Sequence, residues 1–106
     1  MIDPLSQKLQ ALSDPTRRAI LAKLRAGEAT VNQLAQPFAM TLPAISKHIK
    51  VLETAGLITR SRNAQQRPCK LSTDGLKEVD DWINTYREMW EQRFDRLENY
   101  LKTIKD

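Results

Sequence analysis

The sequence contains very little cysteine, glycine and histidine, and each shortage excludes a class of function. A single cysteine, Cys69, cannot form an intrachain disulfide, so nothing requires an oxidising compartment. Three glycines provide no glycine-rich phosphate loop, and no nucleophile–base pair is recognisable. With one histidine and one cysteine, a tetrahedral zinc site would need carboxylates for almost all its ligands. We therefore expect a protein that is not an enzyme and has no cofactor and no metal.

Long apolar runs are also absent. No segment approaches the roughly 18 apolar residues of a membrane span, and the first twelve residues are too polar for a signal peptide. These absences predict a cytoplasmic protein without a membrane partner. A length of 106 residues suits one domain and is short for two, so we expect a single domain over residues 1–106.

The charge of the chain is unevenly distributed. Residues 1–72 carry 11 Lys and Arg against 4 Asp and Glu, whereas residues 73–106 carry 6 against 9. Charge segregated in this way suggests a polyanion as the partner of the first part and a different partner for the tail. A solvated basic surface with no partner is the alternative.

Local start and stop signals predict four helices, a hairpin and one long helix. Gly27 and Gly56 are expected to end the second and fourth helices. Residues 57–62 and 67–72 then look like two short strands around a polar loop, 63–66. The last helix is expected to open at Thr73 and to run to Ile104. The N-cap signals of the first four helices are Asp3-Pro4, Asp14-Pro15, Thr30 and Thr41.

The third and fourth helices, predicted over residues 31–36 and 42–55, match a helix-turn-helix unit whose second helix enters the major groove of DNA. An apolar stripe (Ile45, Ile49 and Leu52) is expected to be buried, which turns the other side chains outward. An ordinary amphipathic helix in an all-α core is the alternative. The candidate DNA contacts on this helix are Thr41, Leu42, Pro43, Ala44, Ser46, Lys47 and Lys50.

The hairpin after this helix is strongly basic, which favours DNA as the partner. Residues 41–70 contain six Lys and Arg and one acidic residue, Glu53. A basic β-wing can reach the phosphate backbone or the minor groove, although charges that protect an edge strand from aggregation are an alternative. The elements together predict a mainly α fold with a small β-hairpin, the winged helix-turn-helix. The candidate wing contacts are Arg60, Arg62, Gln65, Gln66 and Arg67.

Residues 13–21 (SDPTRRAIL) and 45–58 (ISKHIKVLETAGLI), together with the wing arginines, resemble ArsR/SmtB-type repressors. The resemblance covers residues 5–72 and implies a homodimeric repressor that leaves its operator when an inducer binds. The thiolate positions of metal-sensing members correspond here to Thr30 and Asn32, which supply no soft ligand. The tail contains no histidine for the second metal site of the family. A member that does not sense metals is expected.

The C-terminal helix is rich in aromatic residues and has more apolar positions than a single contact needs. The family resemblance implies that residues 1–13 and 73–106 are dimerisation helices, whose aromatic enrichment suits an interface. An inducer pocket formed by the aromatic residues is the alternative. The expected interface residues are Leu5, Leu9, Leu12, Trp82, Tyr86, Met89, Trp90, Phe94, Leu97 and Leu101.

These observations predict a sequence-specific transcriptional repressor that binds double-stranded DNA as a homodimer and responds to an unknown small-molecule inducer. A twofold dimer would present two reading helices about 34 Å apart to a palindromic operator. The alternatives are a metal-responsive repressor that uses carboxylates and a protein-interaction module without specific DNA binding. His48 is expected to be a partly buried residue bonded to a neighbour, with a DNA contact as the alternative. Cys69 is expected to be an inert hairpin thiol, with a redox switch as the alternative.

Overall fold

The computed structural model describes residues 2–62 and 65–104, and the predicted order of elements is confirmed. No helix in these ranges is long and apolar enough to cross a membrane. Residues 63 and 64 of the predicted hairpin loop lie outside the described residues. The elements are α1 (Pro4–Leu12), α2 (Pro15–Leu24), α3 (Val31–Ala35), α4 (Leu42–Thr54), β1 (Ile58–Arg60), β2 (Cys69–Leu71) and α5 (Thr73–Ile104).

Side-chain oxygens cap the first four helices at the predicted positions. The Asp3 carboxylate accepts a hydrogen bond from the Ser6 amide at 2.9 Å. Thr30 and Gln33 cap each other, since the Gln33 amide donates to the Thr30 hydroxyl and the Thr30 amide donates to the Gln33 side chain. Each cap satisfies an N–H group that the helix itself leaves unpaired, so each short helix starts at a defined residue.

One hydrophobic core joins α2, α3, α4 and the hairpin. The predicted stripe of α4 is confirmed, because Ile45, Ile49 and Leu52 are 0–1% exposed. Burying this stripe against α2 and α3 leaves the opposite face of α4 in solvent. The largest fully buried side chains are Ile20, Leu34, Ile45, Ile49, Leu52, Leu57, Ile58 and Cys69.

The strands are shorter than predicted, with an antiparallel register that pairs Ile58 with Leu71 and Arg60 with Cys69. The extended run is interrupted at Arg67, whose φ of 42° lies in the left-handed region. Pro68 follows it and has no N–H to donate to the sheet. The sequence pattern alone therefore predicted two strands that are each longer than the observed ones.

Three helix boundaries also differ from the sequence prediction. α3 and α4 each end one residue earlier than expected, with Gln36 and Ala55 as their C-caps. α2 ends at Leu24, before Gly27, whose φ of +140° is not that of a left-handed helical stop. By contrast, α5 runs from Thr73 to Ile104 as predicted, and the Ser72 hydroxyl just before it accepts from the Gly75 amide at 3.4 Å.

Two glycines form a close backbone contact between α4 and α5. Gly56, with φ of +79°, ends α4 in the predicted left-handed conformation. Gly75 is buried in the first turn of α5, and a Cβ atom at this position would overlap the Gly56 carbonyl oxygen. An ion pair between Lys8 and Glu78 at 3.0 Å also connects α1 to α5. The start of α5 is therefore held against the C-terminal end of α4; we call this contact the glycine joint.

Beyond Val79, α5 projects away from the core. Every side chain from residue 80 to residue 104 is exposed. Trp82 and Tyr86 contact each other edge to face, with ring centroids 5.6 Å apart, and Trp90 stacks on Phe94 at 6.0 Å. Within residues 2–62 and 65–104, nothing outside this half of α5 buries these rings. We call its exposed apolar side chains the tail stripe. The tail stripe consists of Trp82, Ile83, Tyr86, Met89, Trp90, Phe94, Leu97, Leu101 and Ile104.

Candidate nucleic-acid interface

The unit formed by α3, a short turn and α4 has its apolar side in the core and its polar side in solvent. Leu34 of α3 is fully buried against α4. The Phe38 amide donates to the Ala35 carbonyl oxygen at 3.0 Å, which tightens the start of the turn. The Thr41 hydroxyl then accepts from the Ala44 amide at 3.3 Å and starts α4. The turn and its caps thus present the N-terminal half of α4 as a convex edge.

Most of the predicted contacts on α4 lie on this exposed edge. Leu42 is 49% exposed at the tip, a solvent position that is unusual for a leucine. Ala44 differs from the rest because it is half-buried. The Thr41 hydroxyl oxygen already accepts the hydrogen bond that caps α4. Its O–H group can still donate a hydrogen bond to a DNA phosphate. The exposed members of the set are Thr41, Leu42, Pro43, Ser46, Lys47 and Lys50.

The basic wing contains one arginine that is held in place and others that extend into solvent. The Arg60 Nε–H donates to the Arg67 carbonyl oxygen at 3.1 Å, which holds the half-buried Arg60 side chain along the hairpin. Arg60 is therefore less free to reach DNA than the sequence pattern suggests. The exposed wing residues are Arg62, Gln65, Gln66, Arg67 and Lys70.

A polar cluster behind α4 was not predicted from the sequence, and Arg17 is at its centre. The Arg17 guanidinium donates to the carbonyl oxygens of Ala11 at 2.7 Å and Gln10 at 3.1 Å, at the end of α1. Its Nη1 lies 3.3 Å from Nδ1 of His48 on α4. One side chain of α2 thus joins α1 to α4, and we call this arrangement the Arg17 clamp. The sequence signal was the DPTR stretch, which by itself indicates only a helix start.

Asp14 completes the cluster. Its carboxylate accepts the Arg17 amide hydrogen at 3.0 Å and lies 3.9 Å from His48 Nδ1. The Arg17 backbone hydrogen bond, followed by the charges of His48 and Arg17, lowers the pKa of the Asp14 carboxyl below its ordinary value. His48 is partly buried and lies within hydrogen-bonding distance of Arg17, as predicted for this residue.

Neither of the two positions that the family resemblance assigned to metal thiolates has a soft ligand in the structure. Thr30 is engaged in the capping box of α3, and Asn32 is exposed. Within residues 2–62 and 65–104, no group of three or more His, Cys, Asp or Glu side chains could hold a metal ion. Cys69 is fully buried, and burial raises the pKa of its thiol, so the reactive thiolate is disfavoured.

The tail stripe encloses little space by itself. A cavity of about 100 Å³ lies among Tyr86, Met89, Trp90 and Arg93, well below the roughly 300 Å³ from which small-molecule sites begin. The single chain therefore gives no support to an inducer pocket formed by these rings. Of the expected interface residues on α1, Leu5, Leu9 and Leu12 are half-buried.

Comparisons with known proteins agree with this geometry. A family model described as a helix-turn-helix domain matches residues 12–61. The transcriptional repressor SdpR of Bacillus subtilis is 34% identical over 79 residues, which cover 74% of this chain and 88% of the repressor. The crystal structure of an ArsR family transcriptional regulator matches with a TM-score of 0.76 and 42% identity, over 84% of this chain and 98% of that one.

A more distant match supports the fold alone. The homodimeric winged helix-turn-helix DNA-binding domain of a possible ArsR-family transcriptional regulator from Mycobacterium bovis is 20% identical. The match has a TM-score of 0.64 and covers 89% of this chain and 84% of the Mycobacterium bovis domain.

Proposed function

Because this chain belongs to the ArsR-type family of winged helix-turn-helix transcriptional regulators, we propose that it binds a palindromic operator as a homodimer and represses transcription there. The chain is a DNA-binding regulator and not an enzyme. The observation that carries the proposal is the edge of α4, where polar and basic side chains are exposed beside a basic wing.

The side chains of this surface suit different parts of a DNA duplex. Ser46 and Lys47 are the candidates for base edges in the major groove, which α4 is narrow enough to enter. Leu42 suits contact with a thymine methyl group. Lys50 and the Thr41 hydroxyl suit phosphates, which position a protein on DNA without reading its sequence.

The wing is proposed to bind next to the major groove. Arg62 and Arg67, with Gln65 and Gln66, are exposed at the hairpin end and can reach the flanking backbone or minor groove. Arg60 contributes mainly by holding the hairpin, since its Nε–H donates within the wing.

A second copy of the chain is proposed to cover the tail stripe. The exposed rings form a continuous apolar band, and contiguous exposed apolar surface in a protein of this size marks an interaction site. The fold neighbour from Mycobacterium bovis was solved as a homodimer, which is consistent with this arrangement. In this proposal the single domain has two assembly segments, residues 1–13 and 73–106.

Selection of bound sequences from random double-stranded DNA with the purified full chain tests the proposal. A palindrome with half-sites about one helical turn apart is expected, because a twofold dimer presents two reading helices at that spacing. An enriched sequence without twofold symmetry would contradict the dimer, and no enrichment over input would contradict operator binding and favour an interaction module. A reporter gene placed behind the selected sequence then distinguishes repression from activation.

A further inference from the structure

A cavity of about 350 Å³ lies between α1 and the C-terminal half of α4, beside Arg17 of α2. This volume falls within the range of about 300–1,000 Å³ that is typical of small-molecule sites. Neither the family resemblance nor the proposed DNA contacts assign it a role. Its wall includes the cations Arg17 and Lys50, the amides of Gln7 and Gln10, and the apolar side chains of Ile2 and Val51.

The charged groups of this cavity suit an anion. No acidic side chain of residues 2–62 and 65–104 lines it. The Arg17 guanidinium has five N–H groups, three of which are directed at Gln10, Ala11 and His48. Lys50 makes no ion pair with any residue that the structure describes. Two cations with unused donors thus face one cavity, and a guanidinium binds carboxylates with favourable geometry.

The apolar part of the wall indicates the rest of the ligand. Val51, outside the proposed assembly segments, is 41% exposed, and Ile2, within the segment 1–13, is 53% exposed, although both are large apolar side chains. A bound molecule with an apolar body would remove these surfaces from water, which inorganic phosphate cannot do. We propose that this cavity is an effector site for a small organic carboxylate with an apolar body.

The cavity shares residues with both the proposed DNA surface and the Arg17 clamp. A carboxylate bound to Lys50 would occupy an ammonium group that is proposed to contact a DNA phosphate. A carboxylate bound to the unused donors of Arg17 would draw the guanidinium away from His48, its contact on α4. Both effects weaken DNA binding, and by linkage DNA weakens carboxylate binding equally. This regulatory step rests on the proposed DNA-binding function, whereas binding of the carboxylate does not.

Ligand binding is tested first without DNA, by NMR titration of the full ¹⁵N-labelled chain. Sodium benzoate and sodium hexanoate are the probes, benzamide is the neutral control, and ionic strength is kept constant. We expect saturable shifts of the Arg17 side chain and of the Ala11 and Val51 amides, with a Kd below about 10 mM. Absence of saturable shifts at these residues for both carboxylates, or equal binding of benzamide, would overturn the site. Shifts confined to the tail stripe would overturn it as well.

Two lysines on α4 provide a matched pair of variants. Lys50 lines the cavity and Lys47 does not, while both are exposed and both are proposed DNA contacts. We expect Lys50→Gln to weaken carboxylate binding about tenfold, the usual effect of losing one charge-assisted hydrogen bond. We expect Lys47→Gln to leave it unchanged. Equal carboxylate affinities of the two variants would overturn the assignment of Lys50.

The regulatory step is tested by fluorescence anisotropy with the selected operator. Saturating benzoate should lower the DNA affinity of the original chain and of Lys47→Gln, and should have much less effect on Lys50→Gln. Binding of benzoate in the cavity without any change in DNA affinity would overturn the effector role. Failure to bind DNA at all would contradict the proposed function, and the NMR result would still decide the site.

Discussion

Up to Val79 the chain packs around a buried core, whereas residues 80–104 of α5 bury no side chain within the chain. The charge follows a similar division, since residues 1–72 are basic and residues 73–106 are acidic. The first region forms both its core and its candidate DNA surface from a single copy. The second has a well-formed apolar face that a single copy cannot bury. Local folding and assembly are therefore assigned to different parts of the molecule.

The polar contacts of the two regions differ in the same way. The Arg17 clamp joins three helices through partly buried groups. The ion pairs of the tail, such as Lys102 with Glu98 at 3.5 Å, connect exposed groups on one helix and contribute little to stability. The tail helix consequently depends on burial of its apolar stripe, which requires a partner.

The largest effect is expected from a charge in the tail stripe. Trp90→Lys places an ammonium in the proposed dimer interface, so we expect a monomer by light scattering. DNA affinity should fall about 100-fold or more, because one reading helix without its linked copy loses the avidity of two half-sites. Gln92→Lys adds the same charge to the opposite side of α5 and should remain dimeric. If the Trp90→Lys protein were still a dimer, the proposal that residues 80–104 form the dimer interface would be wrong.

A smaller loss is expected at the glycine joint. Alanine normally stabilises a helix relative to glycine, yet a Cβ at residue 75 would overlap the Gly56 carbonyl oxygen. We expect Gly75→Ala to lower the free energy of unfolding by about 2 kcal/mol in urea titrations at a fixed protomer concentration. Lys77→Ala, on an exposed position of the same helix, should change it little. A stabilised Gly75→Ala protein would show that α4 and α5 are not in contact here.

Within the basic region, α4 and the wing should separate specificity from general affinity. Lys47→Ala should lower the preference for operator over random DNA by about 1–3 kcal/mol, because a base contact is lost. Arg62→Gln should weaken binding to both DNAs similarly and reduce the salt slope by about 1. Anisotropy titrations at several salt concentrations measure both quantities. If Lys47→Ala weakened binding to both DNAs equally and Arg62→Gln lowered the operator preference, the proposed roles of α4 and the wing would be reversed.

The smallest effect concerns the pH dependence of the first region. The pKa of Asp14 is lowered in the folded chain, so its carboxylate stabilises the fold above its ordinary pKa of 3.8. This stability is lost as the pH falls through the lowered folded value. Asp14→Asn should therefore remove part of the decline in stability at acid pH. Urea midpoints measured on both proteins between about pH 6 and pH 2 provide the test, with Asp81→Asn as the control for net charge. Unchanged pH dependence would contradict the role of Asp14 in the cluster.

Features that depend on neighbours in sequence were predictable. Asp3, Asp14 and Thr41 accept hydrogen bonds from amides three residues later, so short patterns suffice to locate them. The period of Ile45, Ile49 and Leu52 likewise identified the buried side of α4. The side chains available for DNA followed from that periodicity.

Features that depend on distant residues were not predictable in this way. Arg17 meets His48 across 31 positions of the chain, and Gly75 meets the carbonyl of Gly56. The hairpin ends were misplaced because Arg67 adopts a left-handed conformation that its residue type does not indicate. The apolar period of α5 predicted a helix correctly, while the surface that covers it belongs to another molecule in the proposed assembly.

The glycine joint lies within the first region, at the base of the helix that carries the tail stripe, and it brings main-chain atoms of residues 56 and 75 together. The exposed side chains of the reading edge of α4 and of the tail stripe take no part in this contact. A reading helix with a new base preference can be combined with a tail of different pairing partner, provided that both glycines remain. We therefore expect recognition and pairing to be separable parts of the regulator.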